Sequence, residues 1–177
     1  MLAIGLGVVM GALLAEGTVR VLRLDRPALL LTLVGSTEPT SAYDPRLGWA
    51  NLPESRGSVH FPGAAHSLRL TTNHQGFRFP RDFSREKSRR FRVALVGDSQ
   101  VFGLGVDDDE HLGAVLDREI ADVETYPVGV PGYGPTQEML LLEGTILDYR
   151  PDVVVAVLFL ENDLNDETED LGYGFVP

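Results

Sequence analysis

The run Val153 to Leu160, VVVAVLFL, is eight apolar residues rich in β-branched types. Such a run predicts a strand buried on both faces, as in a parallel sheet with helices on either side. The preceding segments fit that sheet. Phe91 to Val96 (FRVALV) is a short apolar strand ended by Gly97-Asp98-Ser99. Glu110 to Ile120 places Leu112, Val115, Leu116 and Ile120 on one helical face, and the acids from Asp107 to Glu110 suit the dipole at its start. Val123 to Val130 is a weaker strand interrupted by Pro127. Gln137 to Tyr149 is again helical, with Met139, Leu140, Leu142, Ile146 and Leu147, and Pro151 opens the last unit. The order β-α-β-α-β predicts an open α/β sheet covered on both sides.

In such sheets functional groups gather beyond the carboxyl ends of the strands. Here those ends read Gly97-Asp98-Ser99-Gln100, then Gly129-Val130-Pro131-Gly132-Tyr133-Gly134, then Glu161-Asn162-Asp163. A serine, a glycine turn and an asparagine are therefore expected to converge at one edge.

Composition narrows the chemistry. The chain has 177 residues, a net charge of −11, 44% hydrophobic residues and no cysteine. That is enough for one core and excludes thiol catalysis, disulfides and Cys-ligated metal. Residues 1–92 hold 13 Lys+Arg against 7 Asp+Glu, whereas residues 93–177 hold 2 against 19. The acidic half repels phosphate backbones, so no nucleic-acid partner is expected. The cluster Arg85, Lys87, Arg89, Arg90, Arg92 lacks interleaved aromatics and reads as a solvated linker before a strand. The acidic run Glu161 to Asp170 lacks the glycine of an EF-hand loop, and a solvated loop is expected there, with no metal.

The N-terminal half divides differently. Leu2 to Ala15 is fourteen residues without a charge, followed by Arg20, Arg23 and Arg26. As a helix it spans about 21 Å, short of a roughly 30 Å hydrocarbon core. Residues 1–26 are expected to act as a membrane anchor or export signal, leaving the protein membrane-anchored or extracytoplasmic. Residues 27–90 form a linker and an irregular, partly β extension, in which Ser67 to Thr71 alternates as a strand and Asn73-His74-Gln75-Gly76 makes a turn. Residues 91–177 carry the α/β core.

The three strand ends resemble the SGNH hydrolases, also called the GDSL esterase/lipase family, over roughly residues 91–166. The likeness rests on Gly97-Asp98-Ser99, on the GVPGYG turn from Gly129, and on Asn162-Asp163, in that order. The segments YDPRLGW and TTNHQGFRF also look like the extension of some membrane-anchored bacterial members. The resemblance implies a three-layer, flavodoxin-like parallel sheet. It implies Ser99 as nucleophile and an oxyanion hole from the Ser99 N–H, the Gly132 N–H and the Asn162 amide. It implies an acyl-ester hydrolase or O-acyltransferase acting on an ester-bearing small molecule, lipid or O-acylated glycan, with no cofactor. Two positions depart from the pattern: Leu160 stands where the third motif usually has glycine, and Pro127 where asparagine often precedes the turn.

The family takes its catalytic Asp and His from a DxxH motif after further strands. The four histidines here, His60, His66, His74 and His111, all precede the third strand and none lies in a DxxH. The sheet is therefore expected to be C-terminally incomplete and this chain alone to be inactive on esters. His111 is expected at the surface, His74 in a turn that could fold over the site. Asp98 and Asp163 are expected to hold loops. An SGNH-like module without catalysis, binding an acylated glycan or a partner chain, is the alternative. A nucleotide-binding domain is disfavoured, since neither Gly103-Leu104-Gly105 nor the GVPGYG turn makes a G-x-G-x-x-G or P-loop pattern.

Overall fold

The computed structural model describes residues 2–21, 36, 39–60, 65–88 and 90–160. Helix α1 (Leu2–Val21) precedes two antiparallel hairpins, β1 (Ser41–Asp44) with β2 (Gly48–Asn51) and β3 (Arg56–Val59) with β4 (Leu68–Thr71). The α/β unit follows: β5 (Phe91–Gly97), α2 (Ser99–Phe102), α3 (Leu112–Glu119), β6 (Val123–Gly129), α4 (Pro135–Gly144), a 3₁₀ turn (Ile146–Tyr149) and β7 (Val153–Val157). The three strands of this unit form one parallel sheet in the order β6-β5-β7. The chain therefore leaves β5 toward one neighbour and returns across it to the other. The crevice at this reversal opens beyond the carboxyl ends of β5 and β7.

Pro127 stays within β6, opposite Leu95. Among the described strands β6 is an edge, where a residue without an N–H leaves no ladder partner unmet. Gly113 makes the matching space above it, because a Cβ there would sit 2.6 Å from the Pro127 ring.

The main core joins the sheet to the extension. Phe77, Phe79 and Phe83 pack with Ala94, Tyr126, Val128, Ile146 and Tyr149. Phe83 lies stacked between Phe77 and Tyr126, at 4.9 and 4.3 Å between ring centroids. A second cluster, Val59, Leu68, Leu70 and Phe102, seats the β3–β4 hairpin against α2.

The charge asymmetry becomes complementarity between the two parts of the chain. Arg78 meets Asp108 at 2.9 Å, Arg81 meets Asp117 at 2.7 Å, Lys87 meets Asp152 at 2.7 Å and Arg92 meets Glu124 at 2.7 Å. Arg92 is fully buried, so the cluster from Arg85 is no solvated linker at that position. Its stem and guanidinium lie over Tyr126, 4.6 Å from the ring centre, and only a buried acid could hold that charge inside. Arg85 pairs with Asp148 at the surface, and Arg89 lies outside the described residues.

Three other expectations change. β7 is not buried on both faces: Val153, Val154 and Val155 are 37–41% exposed, because among the described residues β7 packs chiefly against β5, whereas β6 is also covered by α2 and α3. The helix expected from Glu110 starts at Leu112, and its Leu112 and Ile120 are exposed. Asp107 and Asp108 do not enter its first turn; they accept from the backbone of β4 at Arg69 (2.9 Å) and Thr71 (3.1 Å). At the N-terminus α1 is helical, with Val9, Met10, Leu13 and Leu14 exposed, yet among the described residues no helix is long and apolar enough to cross a membrane. Most of the expected linker, residues 22–35, and the acidic run from Glu161 lie outside the described residues.

Candidate functional site

β5 and β6 end on the same rung, with Gly97 opposite Gly129. One further bond, Val130 N–H to Gly97 C=O at 3.2 Å, continues the ladder into the turns. Ser99 and Gly132 thus stand two and three residues beyond paired glycines. Both glycines are required by close approach. A Cβ on Gly97 would lie 2.5 Å from Val101 Cγ2, and one on Gly129 would lie 2.1 Å from the Phe102 nitrogen. Helix α2 can fold back over the strand ends only because neither has a side chain.

Asp98, not Ser99, caps α2. Its carboxylate is fully buried and accepts from Gln100 N–H at 2.8 Å. The Ser99 hydroxyl, half-buried at the first helical position, lies 3.3 Å from the other Asp98 oxygen and donates to it. The cap fixes the serine at the start of the helix, with its hydroxyl at the sheet edge. At the far end of α2, Arg78 donates to the carbonyls of Phe102 (3.1 Å) and Gly103 (2.6 Å), the second of which also accepts from Val106 N–H at 3.2 Å.

The second turn is equally defined. Pro131 precedes Gly132, Gly132 has φ +82°, and Tyr133 N–H bonds Val130 C=O at 3.2 Å. This is a type II β-turn, which needs a residue free to adopt positive φ at its third position. Among the described residues nothing accepts from the Gly132 N–H. The β1–β2 hairpin holds the turn from outside. Asn51 Nδ2 donates to Gly129 C=O at 2.9 Å and Trp49 Nε1 donates to Pro131 C=O at 3.0 Å. The Tyr133 hydroxyl donates to Trp49 C=O, and burial pushes that hydroxyl's pKa up, so it remains a donor.

Asn162, the third expected member, lies outside the described residues, as does Asp163. β7 is parallel to β5 with Val157 opposite Gly97, so the chain leaves β7 toward the same edge.

The histidines do not gather at Ser99. His111 is buried, contrary to the surface position expected. Its Nδ1 accepts from Ala114 N–H at 3.3 Å and caps α3, and a glycine at 103 makes room for its Cβ. Burial, with Arg78 adding to it and Asp108 opposing, lowers its pKa to about 4. His74 is exposed and places both ring nitrogens on carboxylates, Nε2 on Glu54 and Nδ1 on Asp82, each at 3.1 Å. These three residues, with Arg56 and Pro80, border a cleft of about 430 Å³ on the extension that neither Ser99 nor Gly132 lines. His66 Nε2 lies 3.1 Å from Asp107.

Sequence reasoning missed Asn51, Trp49 and Arg78. Trp49 and Arg78 sit inside YDPRLGW and TTNHQGFRF, so the segments were visible but their roles were not. Among the described residues no cluster of three or more His, Asp or Glu could hold a metal ion. In comparisons with known proteins, no family profile and no curated protein matches this chain.

Proposed function

We propose that the chain carries the acyl-transfer half-site of a serine-dependent ester hydrolase or O-acyltransferase of the SGNH type, on a sheet of flavodoxin-like order. The observation that carries this reading is the pairing of two strand ends. Gly97 and Gly129 share a rung, and beyond them stand a capped serine and a type II turn whose Gly132 N–H has no acceptor among the described residues. In this reading the Ser99 oxygen attacks the ester carbonyl and its proton passes to a general base. The oxyanion is met by the N–H groups of Ser99 and Gly132 and by the Asn162 amide. Collapse expels the alcohol, and water or a sugar hydroxyl then takes the acyl group. Each such donor supplies about 2.7–4 kcal/mol of transition-state stabilisation.

The reading requires a base that none of the four histidines supplies, since no described histidine bonds Ser99. That same observation favours the second reading, an SGNH-like module that binds an acylated glycan or a partner without turning it over. The exposed apolar residues of α1, Val9, Met10, Leu13 and Leu14, are what supports a membrane association of the whole.

A fluorophosphonate probe tests the nucleophile. Imidazole added to the protein substitutes for a missing base. The proposal expects labelling at Ser99, found by peptide mass, that rises with imidazole and disappears in Ser99→Ala. Labelling that is absent at all imidazole concentrations, or equal in Ser99→Ala, favours the binding module.

A further inference from the structure

The geometry points to Trp49 as a positioning residue, supported by Asn51, that sets the direction of the Gly132 N–H. This inference rests on the acyl-transfer reading and assigns the β1–β2 hairpin a part in it.

One peptide plane links Trp49 to the Gly132 N–H. The carbonyl of Pro131 and the N–H of Gly132 belong to the same peptide unit, and the chain has no cis bonds among its described residues. In a trans peptide the two groups point in opposite directions. A bond that fixes the Pro131 oxygen therefore fixes where the Gly132 hydrogen points. Trp49 Nε1 makes that bond at 3.0 Å.

Without it the turn has an alternative. Pro at the second position suits both type I and type II turns, and the two differ by a flip of the central peptide. Glycine accepts either. A flip would turn the Gly132 N–H away from the strand ends and present a carbonyl in its place. An oxygen there repels a developing oxyanion, so the orientation matters more than the stability of the turn.

Two peptide units upstream, the Gly129–Val130 peptide is held at both ends. Its carbonyl, Gly129 C=O, accepts from Asn51 Nδ2 at 2.9 Å, and its N–H, on Val130, donates to Gly97 C=O. Asn51 is itself buried. The Trp49 ring closes the remaining side: a Cβ on Gly132 would meet Trp49 Cζ2 at 3.3 Å. Tyr133 donates back to Trp49 C=O and stands edge-on to its ring at 5.5 Å, so the indole is held in turn. The hairpin is anchored to α4 by Gln137 Nε2 on Leu47 C=O at 2.7 Å.

Trp49→Phe keeps an aromatic ring and removes the N–H. The experiment follows the Gly132 amide by ¹⁵N NMR and the imidazole-assisted phosphonate labelling of Ser99. The expected result is a cooperatively folded variant whose Gly132 resonance shifts. The Pro131 Hα to Gly132 amide-proton NOE, strong in a type II turn, weakens as the peptide flips, and Ser99 labels about tenfold more slowly with unchanged probe affinity. Should Trp49→Phe fail to fold, a tryptophan analogue with sulfur in place of the ring nitrogen gives the same comparison. It enters only at position 49, the sole tryptophan. A Pro131 Hα to Gly132 amide NOE that stays as strong in the folded variant as in wild type overturns the inference, whatever the labelling does. An NOE that weakens while wild-type Ser99 takes no label upholds the positioning and sinks the acyl-transfer reading instead.

Discussion

Arg78 and Asp108 meet at 2.9 Å, Nε to Oδ1, across thirty residues of chain. The guanidinium is buried, and its other donors reach four carbonyls: Arg69 (2.6 Å), Phe102 (3.1 Å), Gly103 (2.6 Å) and Val106 (2.7 Å). Every N–H of the side chain is thus used, which matches its inventory of five donors. Asp108 completes the joint by accepting from Thr71 N–H and, at 2.6 Å, from Thr71 Oγ1. A single cation thereby ties β4, the end of α2 and the following loop together. Lysine has three donors at one point and cannot span these acceptors. Arg78→Lys keeps the charge but strands several of these carbonyls, and is expected to lower stability by about 2–3 kcal/mol, since a buried acceptor left without a donor costs about 1–3 kcal/mol. Urea unfolding measures it, and a loss below about 1 kcal/mol would show that water or rearrangement satisfies the same carbonyls.

His111 gives stability a distinct pH window. Its pKa falls from the ordinary 6.5 to about 4 through burial, so the folded state resists a proton that the unfolded chain takes up. The unfolded chain binds more protons between those values, and stability must rise with pH across them. The contribution is complete above 6.5 and is lost as pH falls toward 4. Between pH 7 and pH 5 the loss is about 2 kcal/mol. Protonation also destroys the cap, since a protonated Nδ1 cannot accept from Ala114. His111→Gln should flatten the stability profile between pH 7 and pH 5. The same slope in wild type and variant would assign the pH dependence to other groups.

The strand and helix pattern was legible because it lives in local periodicity. FRVALV, the helix after Glu110, the strand through Pro127 and VVVAV are all present, with boundaries displaced by a few residues. Burial was legible only in part. A run of valines signals a strand, but whether Val154 is buried depends on which element covers it, and among the described residues β7 has no helix packed on it as β6 has α2 and α3. The charges illustrate the same limit. The contrast between basic and acidic halves was countable, yet its meaning, Arg92 buried on Glu124 and Arg78 on Asp108, required three-dimensional pairing across 32 and 30 residues. His111 was misjudged for a related reason: a histidine cap is local, but its burial depends on Gly103, which leaves room for its Cβ, and on Phe79, which meets its ring edge-on from elsewhere in the chain. At the candidate site, Ser99 and Gly132 came from motif and spacing. Trp49 and Asn51 could not, because nothing in one sequence indicates which carbonyl an indole or amide will find 82 or 78 residues away.

Gly129 is expected to be the least replaceable glycine of the strand ends. A Cβ there would overlap the Phe102 nitrogen at 2.1 Å and its Cα at 2.6 Å, both backbone atoms of α2. Backbone cannot rotate aside as a side chain can, so α2 must lift from β6. Gly129→Ala should cost about 3 kcal/mol, the upper end for overpacking. It should also shift the Ser99 and Gln100 amide resonances, because the Asp98 cap moves with the helix. By contrast Gly105, whose Cβ would meet nothing within 4 Å, should cost less when changed to Asn, because only backbone strain at φ +112°, about 1–3 kcal/mol and with no clash beside it, opposes the change. Comparable losses at the two positions would mean that the close packing of α2 on β6 is not what limits position 129.

Trp49 provides an internal reporter on the turn, because it is the only tryptophan in the chain. Its ring is half-buried, bonded to Pro131 C=O and edge-on to Tyr133 at 5.5 Å. Indole emission responds to the polarity around the ring and to charge near the nitrogen. A phosphonyl group attached to Ser99 would bring an anionic or strongly dipolar oxygen against the Gly132 N–H, the opposite end of the peptide that Trp49 holds. Labelling should therefore change Trp49 emission with the same time course as the mass change at Ser99. The change should be absent in Ser99→Ala. In Gly132→Ala it should be reduced, since a Cβ at that φ strains the turn and presses on Cζ2. Emission that stays constant while Ser99 becomes fully labelled would separate the serine from the turn, and the oxyanion role of Gly132 would fall with it.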